Sequence, residues 1–100
     1  MSDVFKALSD PTRRKILQLL RAQDLSAGDI SKEFEMSKPA ISKHLDILKN
    51  ADLIDCVKRG QFVVYSINTT ALQNTLQDFL SFFEHTKSEA VELKQQNEKL

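Results

Sequence analysis

The feature that most constrains this chain is a change of hydrophobic period. Up to Leu48 the apolar residues fall three and four apart, the spacing of one helix face. Residues 54–58 (IDCVK) and 62–67 (FVVYSI) then run rich in Val, Ile, Phe and Tyr, with Arg59-Gly60 between them. Gly at such a tip supplies the positive φ that a tight turn demands, so this stretch predicts a two-stranded hairpin with a basic tip. From Leu72 the helical spacing returns, with Leu72, Leu76, Phe79, Leu80 and Phe83 at i, i+4, i+7, i+8 and i+11. The pattern predicts an α+β, mostly α chain.

Capping residues divide the helical part. Val4, Phe5 and Leu8 mark a short first helix. Asp10-Pro11 starts a second, because Asp accepts from free backbone N–H groups and Pro suits the first helical position; Ile16, Leu17 and Leu20 give its buried stripe. Ser26 with Asp29 resembles a capping box for a third, short helix, with Ile30 and Phe34 inward. Glu35-Met36 leaves room only for a turn before Ser37, which caps a fourth helix carrying Ile41, Leu45 and Leu48. Asn68 caps the last. Beyond Glu84 the stripe thins to Ala90, Val91 and Leu93, a tail over 84–100 prone to fraying. About five helices and a hairpin result, with no repeat or linker dividing residues 1–100 into more than one domain.

A chain of 100 residues with 41% hydrophobic and 28% charged residues is globular, burying roughly 60–70% of its unfolded surface. The start, MSDVFKALSD, lacks the apolar core of a signal peptide. The longest apolar run, residues 62–65, is far below the ~20 residues of a membrane span. A cytoplasmic protein is therefore expected. Cys56 is the single cysteine and alternates with Ile54, which reads as a packed core thiol; nothing around it marks a low-pKa switch. The net charge is zero, yet residues 1–66 hold 11 Lys/Arg against 9 Asp/Glu. A nucleic-acid contact must then come from a local basic face.

Such a face exists. Two short helices joined by a tight turn, followed by a basic-tipped hairpin, make a winged helix-turn-helix, whose second helix fits the major groove of DNA. With Ile41 at the centre of the buried stripe, Pro39, Lys43, Asp46 and Asn50 point most directly away, flanked by Ala40 and Ser42. Ser37 and Lys38 lie at the helix start, where the dipole attracts phosphate. His44 lies nearer the buried side. On these residues alone the charged face reads equally as a solvated one; the preceding helix and the hairpin tip favour DNA. Lys58 and Arg59 are readable as protection of an edge strand or as wing contacts. Arg13, Arg14 and Lys15 are readable as phosphate contacts, surface charge or salt bridges between subunits.

The stretches LSDPTRRKIL (8–17), SAGDISKEFEMSKPAISKHLDILKNADLI (26–54) and KRGQFVVYSI (58–67) resemble the ArsR family of bacterial winged-helix repressors, and within it most closely the SdpR-like autorepressors. The resemblance runs to about Phe83. It implies that Lys38, Pro39, Ser42 and Lys43 touch bases and phosphates, that Lys58, Arg59 and Gln61 lie on the wing, and that the first and last helices pair two subunits. The wider expected DNA-facing set adds Ser37, Ala40 and His44; the expected subunit interface comprises Val4, Phe5, Leu8, Leu72, Leu76, Phe79, Leu80 and Phe83. The aromatic stripe, more apolar surface than one small domain has left to cover, supports that pairing independently, with an intramolecular core as the alternative.

Many members of this family sense metals, and here the chain departs from them. Where they carry Cys-x-Cys it has Ser26 and Gly28, and on the last helix Asp78 and His85 stand with Leu80 and Ser88. One His and one Asp cannot close a shell that wants about four ligands, so no metal and no cofactor is expected. Enzyme chemistry is also not expected, since there is no phosphate loop and no nucleophile–base pairing. The partners implied are double-stranded operator DNA and a second copy of the chain, with a regulatory protein left open. The alternatives are a winged-helix protein-interaction module and a ligand- or thiol-responsive sensor.

Overall fold

In a computed structural model, residues 2–99 are described, with side chains described for 3–84. The order is α1 (Ser2–Leu8), α2 (Pro11–Ala22), β1 (Leu25–Ser26), α3 (Ala27–Ser31), α4 (Lys38–Asn50), β2 (Ile54–Arg59), β3 (Phe62–Ile67) and α5 (Thr69–Lys99). Four of the helices begin after a side chain that accepts from the first turn. Asp10 accepts from the Arg13 N–H at 3.1 Å, Ser26 from Asp29 at 3.1 Å, Ser37 from Ala40 at 3.2 Å and Asn68 from Ala71 at 3.3 Å. Each bond satisfies a backbone donor that has no partner within its helix.

The C-terminus of α4 closes differently. Asp52 takes the left-handed conformation, φ 59°. Its N–H donates to the Lys49 carbonyl at 3.0 Å, and the Leu53 N–H donates to Leu48, also at 3.0 Å. These two bonds form a Schellman motif, with aspartate where glycine is usual. The motif turns the chain sharply, so that Leu53 and the first residue of β2, Ile54, are both buried in the core.

The hairpin forms with Ile54 opposite Ile67, Cys56 opposite Tyr65 and Arg59 opposite Phe62. Gly60 has φ +63°, and no non-glycine in the tip has positive φ, the pattern of a type II′ turn. The sheet has a third strand that the sequence did not announce. β1 pairs antiparallel with β3, Leu25 opposite Tyr65 and Ser26 opposite Val64, giving the order β1-β3-β2. The hairpin is thereby anchored along one edge beside the N-terminus of α3.

The core gathers Ile16, Leu20, Ile30, Ile41, Leu45, Leu48, Leu53 and Ile54, each at most 2% exposed. Val4, expected at a subunit surface, is instead buried in this core, and Leu8 and Leu72 pack against it. Phe34 packs there too, as its spacing predicted. Cys56 is only half-buried, at the edge of the core rather than within it. The tail expectation for residues 84–100 falls almost wholly on side chains outside the described residues.

Candidate nucleic-acid interface

The basic run at the start of α2 is not a free charged surface. Arg13 is 8% exposed, and its guanidinium is used on three sides. Nε donates to the Ala7 carbonyl at 2.8 Å, Nη2 to the Lys6 carbonyl at 2.9 Å, and Nη1 to His44 Nδ1 at 3.1 Å. Arg14 Nη1 donates to the Leu8 carbonyl at 2.8 Å. The two arginines therefore satisfy the last carbonyls of α1, the negative end of that helix. Lys15 donates to the Glu33 carbonyl at 3.3 Å and stands 4.9 Å from the Phe34 ring centroid, which steadies the turn ahead of α4. All three thus make contacts within one protomer that none of the readings open for them included, with Arg13 buried and Arg14 and Lys15 still exposed.

With the scaffold held on one side, α4 presents the other. Lys38, Pro39, Ser42, Lys43, Asp46, Lys49 and Asn50 are exposed, Ala40 is half-buried, and Ile41, Leu45 and Leu48 face the core. Rotation of 100° per residue places Pro39, Lys43, Asp46 and Asn50 opposite Ile41 with Ser42 beside them, while Lys38 and Lys49 emerge near the two ends of the helix. Ser37 is exposed, but its hydroxyl oxygen is committed to the cap and its carbonyl accepts from the Ile41 N–H at 3.1 Å. Pro39 brings no N–H of its own. Attraction of phosphate at this end therefore rests on Lys38 and the helix dipole more than on a fan of unbonded amides. His44 differs from its neighbours: its side chain is 19% exposed, and its ring faces Arg13 and, at 3.9 Å, Asp10 Oδ2.

α3 and α4 meet along a shallow groove of about 220 Å³ lined by Ala27, Gly28, Ser31, Lys38, Ile41 and Ser42. It joins the two helices of the motif on the side where Lys38 and Ser42 emerge. Across the sheet, Lys58, Arg59 and Gln61 are all exposed at the hairpin tip. Residues 57–63 include no acidic side chain, so the tip is cationic. Phe62, beside Gln61 and opposite Arg59, is 60% exposed, an aromatic neighbour that strand patterning alone did not single out.

At the C-terminal end of the exposed face, Lys49 reaches Cys56. A hydrogen bond and charge interaction with the thiol raise the Lys49 pKa above the ordinary value. Burial, followed by the charges of Cys56 and Asp46, likewise raises Tyr65. At the start of α2, partial burial pushes Asp10 upward. The Arg13 N–H together with the charges of Arg13 and His44 outweighs it and holds the carboxyl below its ordinary value.

A second surface lies on α5. Phe79 stacks edge-on with Phe5 at 5.3 Å and with Phe83 at 5.0 Å, yet each of these rings remains more than a third exposed. Leu76 and Leu80 extend the apolar stripe. Among the described residues no group of three or more His, Cys, Asp or Glu is placed to hold a metal ion, and no helix is long and apolar enough to cross a membrane. The His85 side chain lies outside the described residues.

The same arrangement recurs in known proteins. Residues 10–55 match the family of bacterial regulatory proteins of the arsR type. The chain is similar to the transcriptional repressor SdpR of Bacillus subtilis (strain 168), 56% identical over 82 residues, covering 82% of this chain and 91% of that protein. An arsenical resistance operon repressor of Staphylococcus xylosus is 37% identical over 68% of this chain and 65% of its own length. Among solved structures, an ArsR-like transcriptional regulator from Rhodococcus sp. RHA1 superposes with a TM-score of 0.81 at 31% identity, covering 99% of this chain and 91% of that one. The helix-turn-helix, the cationic wing and these likenesses agree: the chain belongs to the ArsR family of bacterial regulatory proteins and is a DNA-binding winged helix-turn-helix transcriptional regulator.

Proposed function

We propose that the protein is a cytoplasmic, homodimeric repressor that binds an inverted-repeat operator, performs no chemistry and takes no cofactor. The observation that carries this reading is the outward row Lys38, Pro39, Ser42 and Lys43 on a helix whose opposite side is wholly buried. In the major groove, Lys43 and Ser42 reach base edges while Lys38 meets phosphate; Ala40 adds an apolar contact of the kind that suits a thymine methyl. Lys58, Arg59 and Gln61 reach the flanking backbone or minor groove. Ser37 serves chiefly as the cap, and His44 as part of the scaffold. Phe5, Leu76, Phe79, Leu80 and Phe83 form the subunit interface. Two-fold symmetry then places two copies of α4 about one helical turn apart, which demands a pseudo-palindromic site.

A protein-interaction module would present an apolar or acidic face on α4, whereas this one is rich in Ser and Lys. The likeness to a repressor favours repression by occupying a promoter, the protein's own among the first to test. The test is binding to promoter DNA at several salt concentrations. About six phosphate contacts, from Lys38, Lys58 and Arg59 on two protomers, predict a loss of roughly 10³-fold or more between about 50 and 200 mM salt. Binding that is indifferent to salt refutes the reading.

A further inference from the structure

We propose that Arg13 and His44 form a positioning link, in which one guanidinium ties the end of α1 to the DNA-facing helix α4 only while His44 is neutral. The inference rests on the operator-binding reading above and adds a property it does not contain. Arg13 is fixed at its root by two bonds to the carbonyls of α1, at 2.8 and 2.9 Å, and is almost fully buried. Its third contact, Nη1 to His44 Nδ1 at 3.1 Å, is the only one of the three that reaches α4.

The chemistry of the two groups sets the protonation state. A guanidinium has donors and no acceptor, so Nδ1 must offer its lone pair, which places the ring proton on Nε2. Histidine is the side chain that changes charge between about pH 5 and 8. A proton on Nδ1 turns the contact into two donors of like charge face to face. An alternative acceptor stands close by: Asp10 Oδ2 lies 3.9 Å from the same nitrogen. The protonated ring therefore leaves Arg13 and turns to Asp10, and α4 loses its tie to the buried guanidinium.

To the charged groups around His44 the start of α2 contributes Asp10 and Arg13, and α1 meets Arg13 through the Lys6 and Ala7 carbonyls. α3 meets α4 near Lys38, Ile41 and Ser42, and its Asp29 pairs with Lys32 at 3.7 Å. The Asp3 and Lys6 side chains lie further along, beside Ile47 and Asn50, and β2 meets α4 beyond them, where Cys56 contacts Lys49. Added positive charge on the DNA-facing helix would by itself strengthen binding, so the link predicts the opposite sign from simple electrostatics. That opposition makes it testable.

The experiment uses a duplex selected by the full-length protein from a random-sequence pool at pH 7.5, with affinity measured from pH 7.5 to 5.5. Wild type is expected to weaken by roughly tenfold, the equivalent of one charge-assisted hydrogen bond. His44→Asn keeps an acceptor near the Nδ1 position without titrating, and is expected to bind nearly as well as wild type at pH 7.5 and to stay flat. Nitrogen NMR shifts of His44 at pH 7.5 should report the Nε2–H form. Equal pH dependence in both proteins, a flat or rising wild-type affinity, or an Nδ1–H tautomer overturns the link while leaving operator binding intact. Failure to select any duplex at pH 7.5 refutes the operator reading itself, and the link with it.

Discussion

Substituting Phe79 by Asp separates the two surfaces of this molecule. Phe79 is 38% exposed in the single protomer. For a side chain of about 200 Å², that leaves roughly 80 Å² of apolar surface for a partner to cover, about 2 kcal/mol at 25 cal/mol per Å². A two-fold interface counts the substitution twice, so about 4 kcal/mol is lost, close to a thousandfold in the dimer dissociation constant. Two buried carboxylates facing one another add to that loss. Within the protomer the ring also meets Phe5 and Phe83 edge-on, contacts of roughly 0.5–1.5 kcal/mol each, so some loss of thermal stability is expected as well. Sedimentation equilibrium over a range of protein concentrations measures the shift, with circular dichroism to verify the fold. Gln77→Asp, exposed on the same helix but off the stripe, is the control. A dimer equally tight in Phe79→Asp, or lost equally in Gln77→Asp, refutes this assignment of the interface.

Two further substitutions probe the other parts of the account. Asp52→Gly should raise the stability of the fold by about 0.5–1 kcal/mol in denaturant unfolding, because glycine adopts φ 59° without a Cβ clash; a loss would show that the Asp52 side chain matters more than its backbone. Lys43→Ala should weaken operator binding by about 1–3 kcal/mol with loss of discrimination at one position of the half-site, and an unchanged affinity removes Lys43 from the contact set.

Most of the fold was legible because its signals are local. Asp10, Ser26, Ser37 and Asn68 each announce a helix start through a bond spanning three residues, and Gly60 announces the hairpin through the φ it supplies. The face of α4 followed from helical rotation alone. What escaped depends on contacts between distant parts of the chain. β1 is two residues long and exists because Leu25 and Ser26 meet Tyr65 and Val64. Arg13 looks like surface charge until α1 folds back and turns its carbonyls toward it. Val4 shares a spacing with Phe5 and Leu8 that cannot tell a subunit interface from a core; packing against α2 and α4 decides it. Asp52 is a poor sequence signal for a left-handed residue, since glycine is the usual occupant.

The central claim is that the outward side of α4 enters successive major grooves. Dimethyl sulfate protection of guanine N7 on a bound operator measures this directly, because that atom lies in the major groove. The account predicts two protected clusters on one face of the duplex, centred about one helical turn apart, with both requiring more protein for the same protection in Lys43→Ala. A single cluster, or binding with every major-groove guanine still reactive, contradicts it.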